Sequence, residues 1–132
     1  MSPRSITLAA LLLLGVLSQP VGAAGQQVGL TFHVPGQPPA THFASWTPGT
    51  TVEQAMQRAG INYVTGWRPR LGNDLLIAEG VPLFTNGGLG SPFWWLCIDG
   101  KSPNAGMTNA RIPSGRSKVE WFWTTEQACK PQ

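Results

Sequence analysis

The sequence predicts an α+β domain, a sheet of about five strands packed on one short helix. Three observations predict it. Two runs rich in aromatic and β-branched residues, 93–98 (FWWLCI) and 119–123 (VEWFW), carry four of the six tryptophans and suit a pleated, half-buried surface. Segment 28–34 (VGLTFHV) alternates apolar and polar residues with the period of a strand. Only one stretch, 51–59, repeats apolar residues at helical spacing. Sixteen glycines and twelve prolines, against 11% charged residues, favour a loop-rich β domain over a helical bundle.

Residues 1–24 read as a secretory signal peptide rather than as part of the fold. Arg4 gives the positive start, 6–17 the apolar run, and Val21-Gly22-Ala23-Ala24 the small residues of a cleavage site. The segment is too short and wrongly flanked for a stable span; an uncleaved signal anchor is the competing reading. No later apolar run approaches the roughly 20 residues that cross a bilayer. The expected product is exported, with residues 25–132 forming one domain. After residue 24 there are eight basic and six acidic residues, a balance of +2, scattered rather than striped. Nothing there tracks a phosphate backbone, so nucleic acid is not an expected partner.

In 28–34, Val28, Leu30, Phe32 and Val34 form the buried face, and Gly29, Thr31 and His33 the wet one. The loop 35–39 (PGQPP) excludes a central strand, and 41–46 returns as the second arm of a hairpin. Thr50 or Thr51 caps the helix, with Glu53 three residues after Thr50 completing a capping box. Val52, Ala55, Met56 and Ala59 make its apolar stripe, and Gly60 stops it. Residues 61–72 read as irregular, with Trp67 in a Gly- and Pro-rich loop. There it is either a ligand platform or a plug beneath the loop. Residues 74–81 read as a middle strand, and 83–91 as a glycine-rich loop without the Lys and Ser/Thr of a phosphate cradle.

In 119–123, alternation sets Val119, Trp121 and Trp123 on one face. Adjacent Trp94 and Trp95 face opposite ways, so one of them is expected to be partly exposed. Most of these rings are expected to be core. Cys97 and Cys129, the only cysteines, are a candidate disulfide in an oxidising compartment. Unpaired, Cys97 would be a small buried hydrophobe and Cys129 a thiol on the tail.

Catalytic chemistry is not legible. His33 and His42 have no cysteine or carboxylate cluster beside them to complete a zinc site. No serine has the context of a nucleophile elbow, and Asp74 and Glu79, five apart on one strand, face opposite sides. The sequence reads as a binding module, not an enzyme.

The order of hairpin, helix, middle strand and aromatic hairpin is that of a β-grasp sheet on one helix. The residues carry a closer likeness. Thr51-Val52-Glu53-Gln54-Ala55-Met56 opens the helix, and Thr65-Gly66-Trp67 and Ala78-Glu79-Gly80-Val81 follow. Trp94-Trp95-Leu96-Cys97-Ile98-Asp99-Gly100 comes next, then Asn104-Ala105-Gly106-Met107 and Ser114-Gly115 before Val119-Glu120-Trp121. In this order the motifs resemble the transcobalamin-like C-terminal domain, the small β domain of transcobalamin, haptocorrin and intrinsic factor that also occurs in bacterial secreted proteins. The resemblance covers nearly all of residues 28–124.

It implies a secreted, non-enzymatic domain that binds cobalamin as a dissociable ligand, with no covalent cofactor. The implied ligand positions are the end of the middle strand (Leu76, Ile77, Ala78, Glu79, Gly80, Val81) and the aromatic strand (Trp95, Leu96, Cys97, Ile98, Asp99, Gly100), with Trp67 beside them. The helical barrel that holds most of the ligand in the full carriers has no counterpart in this sequence. A separate helical domain or a receptor protein is therefore an implied partner, and affinity without one is expected to be weak. The rival reading is a secreted module that binds a protein or a glycan through the same face.

Overall fold

A computed structural model of the chain describes residues 25–78 and 92–131. The expected signal peptide, the glycine-rich loop, and Glu79, Gly80 and Val81 lie outside the described residues. Those described are mostly strand, with one short helix. The strands are β1 (Gln26–His33), β2 (Ala40–Trp46), β3 (Tyr63–Arg68), β4 (Gly72–Ala78), β5 (Phe93–Ile98), β6 (Lys101–Ser102), β7 (Lys118–Thr124) and β8 (Lys130–Pro131). The helix α1 is Val52–Arg58.

Six strands form one mixed sheet in the order β2-β1-β7-β5-β6-β8. β1 and β2 are antiparallel, β1 and β7 parallel, and β5 and β7 antiparallel. The alternation read from the sequence holds through this sheet. Val28, Leu30 and Phe32 are buried, as are Val119 and Trp121, with Trp123 partly buried beside them. In β5 the core residues are Trp94, Leu96 and Ile98. Trp95 points the other way and is half-buried.

The helix lays Val52, Ala55 and Met56 on the inner face of the sheet, with Ala59 partly buried. The capping box is Thr51 with Gln54, not Thr50 with Glu53. Thr50 is itself buried and accepts a hydrogen bond from Arg58 instead. The free amides of the first turn are met from outside the helix: Val52 N donates to Ala110 O at 2.9 Å and Glu53 N to Met107 O at 3.0 Å. The segment supplying these carbonyls, 103–113, also buries Met107, Ala110 and Ile112. It is a third wall of the core, which its aperiodic sequence did not announce.

The sequence reading is corrected at 61–78. Residues 63–68 are not loop but β3, and 72–78 are not a middle strand of the main sheet. They are β4, paired with β3 in a separate two-stranded sheet. The 103–113 segment fastens this hairpin: Gly106 N donates to Leu71 O at 2.9 Å, and a Cβ on Gly106 would collide with the Asn73 and Leu71 carbonyls.

Cys97 and Cys129 are bridged, as the candidate pairing anticipated, with a sequence separation of 32. The bridge holds the tail so that β8 runs parallel to β6. By loop entropy it stabilises the fold by about 3–4 kcal/mol.

Met56 is fully buried between α1 and the sheet. Met56→Ala is predicted to lower unfolding stability by about 2–5 kcal/mol in urea titrations. A neutral result would place the apolar stripe of α1 in solvent.

Candidate ligand-binding face

The hairpin β3–β4 and the strand β5 carry the residues implicated by sequence, and they fall into three groups. Ala78, Leu96 and Ile98 are core. Cys97 is sealed in the disulfide, and Asp99 and Gly100 make the two-residue turn between β5 and β6. Both turn residues have positive φ, 53° and 78°, as a primed hairpin turn requires. Asp99 Oδ1 accepts from Lys118 N at 2.8 Å, which pins the turn to β7. These six positions serve the core, the bridge or the turn, and of them Leu96 also borders a recess. Trp67, Leu76, Ile77 and Trp95 remain accessible.

Trp67 lies on a strand and is 74% exposed, so it is no plug beneath a loop. A register shift between Val64 and Thr65 leaves Leu76 without a cross-strand partner. Leu76 lies over Gly66, where a Cβ would collide with its side chain. Ile77 lines a groove of about 450 Å³ with His42, Ile61, Tyr63 and Val64.

Trp95 opens onto a different feature. Alternation turns Arg68 to the opposite side of β3 from Trp67. There Arg68, Leu71 and Asp74 face Phe93, Trp94, Trp95 and Leu96 across a recess of about 210 Å³, which 102–105 close at one end. The Arg68 guanidinium sits over the Phe93 ring, 5.1 Å from its centroid. Phe93 and Trp95 rings are 5.4 Å apart. Trp95 Nε1 is buried and has no hydrogen-bond partner among the described residues. Asp74 is 4% exposed; its Oδ1 accepts from Met107 N at 3.3 Å and its Oδ2 lies 3.9 Å from Arg68 Nη1. Burial pushes its carboxyl above the usual range, against the opposing pull of the Leu75 and Met107 amides and the Arg68 charge.

Sequence reasoning named Trp95 and Leu96 here but missed Arg68, Leu71, Asp74 and Phe93 as lining. Along the sequence, Asp74 has only Glu79 as a neighbouring carboxylate. The one signal available was alternation along 63–68, hidden by Gly66 and by the reading of that stretch as loop.

Beyond 103–105 lies a wider cleft of about 640 Å³, lined by Ile98, Lys101, Asn104, Asn109 and Arg111 among others. His33, expected to be a surface residue, is part-buried. Its Nε2 is 2.8 Å from Glu120 Oε2, and its ring stacks on Phe122 at 4.3 Å. Among the described residues no group of three His, Cys, Asp or Glu side chains could hold a metal ion. The chain matches no protein-family model and no curated protein.

Asp74 yields a pH prediction. Its folded-state pKa is raised above 3.8, so the folded protein holds this proton more tightly than the unfolded chain does. The stability it contributes is complete below the ordinary carboxylate value and is lost as pH rises through the raised one. Asp74→Asn cannot ionise, and its amide oxygen can still accept from Met107 N. Urea titrations across this range should show the wild type losing stability relative to the variant as pH rises. A difference that stays flat or runs the other way would contradict the burial of an ionisable carboxyl.

Proposed function

We propose that the protein is an exported, non-enzymatic ligand-binding domain of β-grasp type, and that its ligand is a corrinoid such as cobalamin. The β-grasp reading draws support from the sheet order, in which the first strand and the last long strand, β1 and β7, lie parallel side by side with one helix across them. The exported reading draws support from the residue pattern of 1–24 and from the disulfide. No described helix is long and apolar enough to cross a membrane.

One observation carries the ligand reading: the recess at Trp95. It joins an aromatic wall to the Arg68 guanidinium and the Asp74 carboxyl, the mix of apolar lining and few placed polar groups that ligand sites use. At about 210 Å³ it is smaller than the roughly 300–1,000 Å³ of pockets that engulf a ligand. It takes the edge or an amide arm of a large ligand, not its body. That suits half of a clamp whose other half is a separate helical domain or receptor. A second reading, a module for a protein or glycan partner, is favoured by Trp67, whose open indole lies on the other side of β3.

Titrating the purified protein with cobalamin, followed by tryptophan fluorescence and corrin absorbance, tests the proposal. The expected result is weak, saturable binding that Trp95→Ala abolishes and Trp67→Ala leaves in place. No saturation at ligand on the order of millimolar, in folded protein, would reject autonomous corrinoid binding. Loss in Trp67→Ala alone would move the site to the open face of the hairpin.

A further inference from the structure

The two edges of the six-stranded sheet are built differently. At one edge lies β8, two residues long, made of a lysine and a proline and tied down by the neighbouring disulfide. These are the usual devices that stop a sheet from recruiting another strand. At the other edge lies β2, seven residues long (ATHFASW), with no lysine, arginine, carboxylate or proline. Its ladder to β1 runs through seven pairs without a bulge, and no described strand lies on its outer side. Phe43, at its centre, is 64% exposed. Between residues 34 and 52 the chain carries no Asp, Glu, Lys or Arg at all.

Two contacts show which backbone groups face outward. Ser45 O accepts from Arg58 Nη1 at 3.1 Å, so it points away from β1. Thr31 and Thr41 bring their hydroxyls to 3.0 Å, the close approach of a cross-strand pair that does not exchange backbone hydrogen bonds. By alternation Thr41, Phe43 and Ser45 all present their N–H and C=O groups to the side on which no described strand lies.

We propose that β2 pairs antiparallel with β2 of a second copy of this chain, about a two-fold axis at Phe43. This register sets Phe43 against Phe43 and Thr41 against Ser45 of the second copy, and every outward backbone group of the three meets its complement. His42 falls opposite Ala44 and Ala40 opposite Trp46, so no charged pair is forced together. An aromatic pair at the centre adds cross-strand stabilisation. Arg58 brings a cation to this edge. The two Ser45 residues it caps are four residues apart along the paired strands, roughly 13 Å, beyond the screening length of about 8 Å at physiological salt. A carbonyl oxygen has two lone pairs, so Ser45 O keeps Arg58 while accepting an amide. The prolines at 38, 39 and 48 confine the pairing to this strand. Because the far edge is blocked, assembly stops at two copies. A seven-residue edge buries less than a standard interface, so the dimer is weak and depends on concentration.

Sedimentation velocity on the purified protein at rising concentration reads this directly. The average mass should climb from one copy toward two. Phe43→Lys should hold it at one copy with an unchanged circular dichroism spectrum, since the side chain is largely solvent-exposed. Val64→Lys, on the hairpin and 49% exposed, should dimerise like the wild type. Exchange of the Thr41, Phe43 and Ser45 amides should slow with concentration in the wild type and in Val64→Lys, but not in Phe43→Lys. A single copy at every concentration would overturn the proposal, as would a dimer that survives Phe43→Lys or is lost in Val64→Lys, or growth past two copies.

Discussion

The parallel pairing of β1 with β7 is the constraint on which the rest of the molecule depends. It joins Leu30 to Val119 and Phe32 to Trp121, residues separated by most of the described chain. Closing so long a loop costs entropy before any contact repays it. The repayment is apolar: Leu30, Phe32, Val119 and Trp121 are all essentially removed from water. Burial of this kind stabilises by about 1.5–3 kcal/mol for each large side chain. The rest of the core packs around that pair. Trp94 meets Phe32 edge to face at 5.6 Å and Trp123 at 5.5 Å. The helix covers the sheet with Met56.

Buried and accessible residues divide within β5 itself. Trp94, Leu96 and Ile98 belong to the core, and Cys97 to the bridge. Phe93 and Trp95 remain half-buried and look onto Arg68 and Asp74 of the hairpin. The recess therefore has one wall fixed by the main sheet and one carried by a hairpin held through Gly106 and Met107. Its geometry depends on 103–113, the same segment that caps the first turn of α1. A change there should disturb helix and recess together.

The long strands of the main sheet and the helix were legible because each has one buried face, and burial imposes a period. Leu30 and Phe32 show the period of two, and Val52, Ala55 and Met56 that of a helix. Asp99-Gly100 was legible as a turn because only certain residues accept positive φ. What failed had no period to read. In β3 Gly66 with Pro69 imitates a loop, and in β4 the unpaired Leu76 interrupts alternation. β4 reads as an apolar run, which says that it is buried but not which strand it pairs with. β6 and β8, two residues each, are too short to leave a pattern. Cap chemistry was recognised, but Thr51 with Gln54 and Thr50 with Glu53 are one residue apart and equally plausible in composition. At the candidate site, Trp67 and Trp95 stood out as large rings. Arg68, Asp74 and Phe93 meet only through tertiary contact, which spacing along the chain does not encode.

Native-state hydrogen exchange tests the dependence on β1 and β7 most directly. Local openings cost less than global unfolding wherever a segment can detach without breaking the core. The amides of Leu30, Phe32, Val119 and Trp121 should exchange only through global unfolding, while those of β3 and β4 open at lower free energy. If the β3–β4 amides proved the last to exchange, or β1 opened before the hairpin, the parallel pair would not be the element that holds the fold.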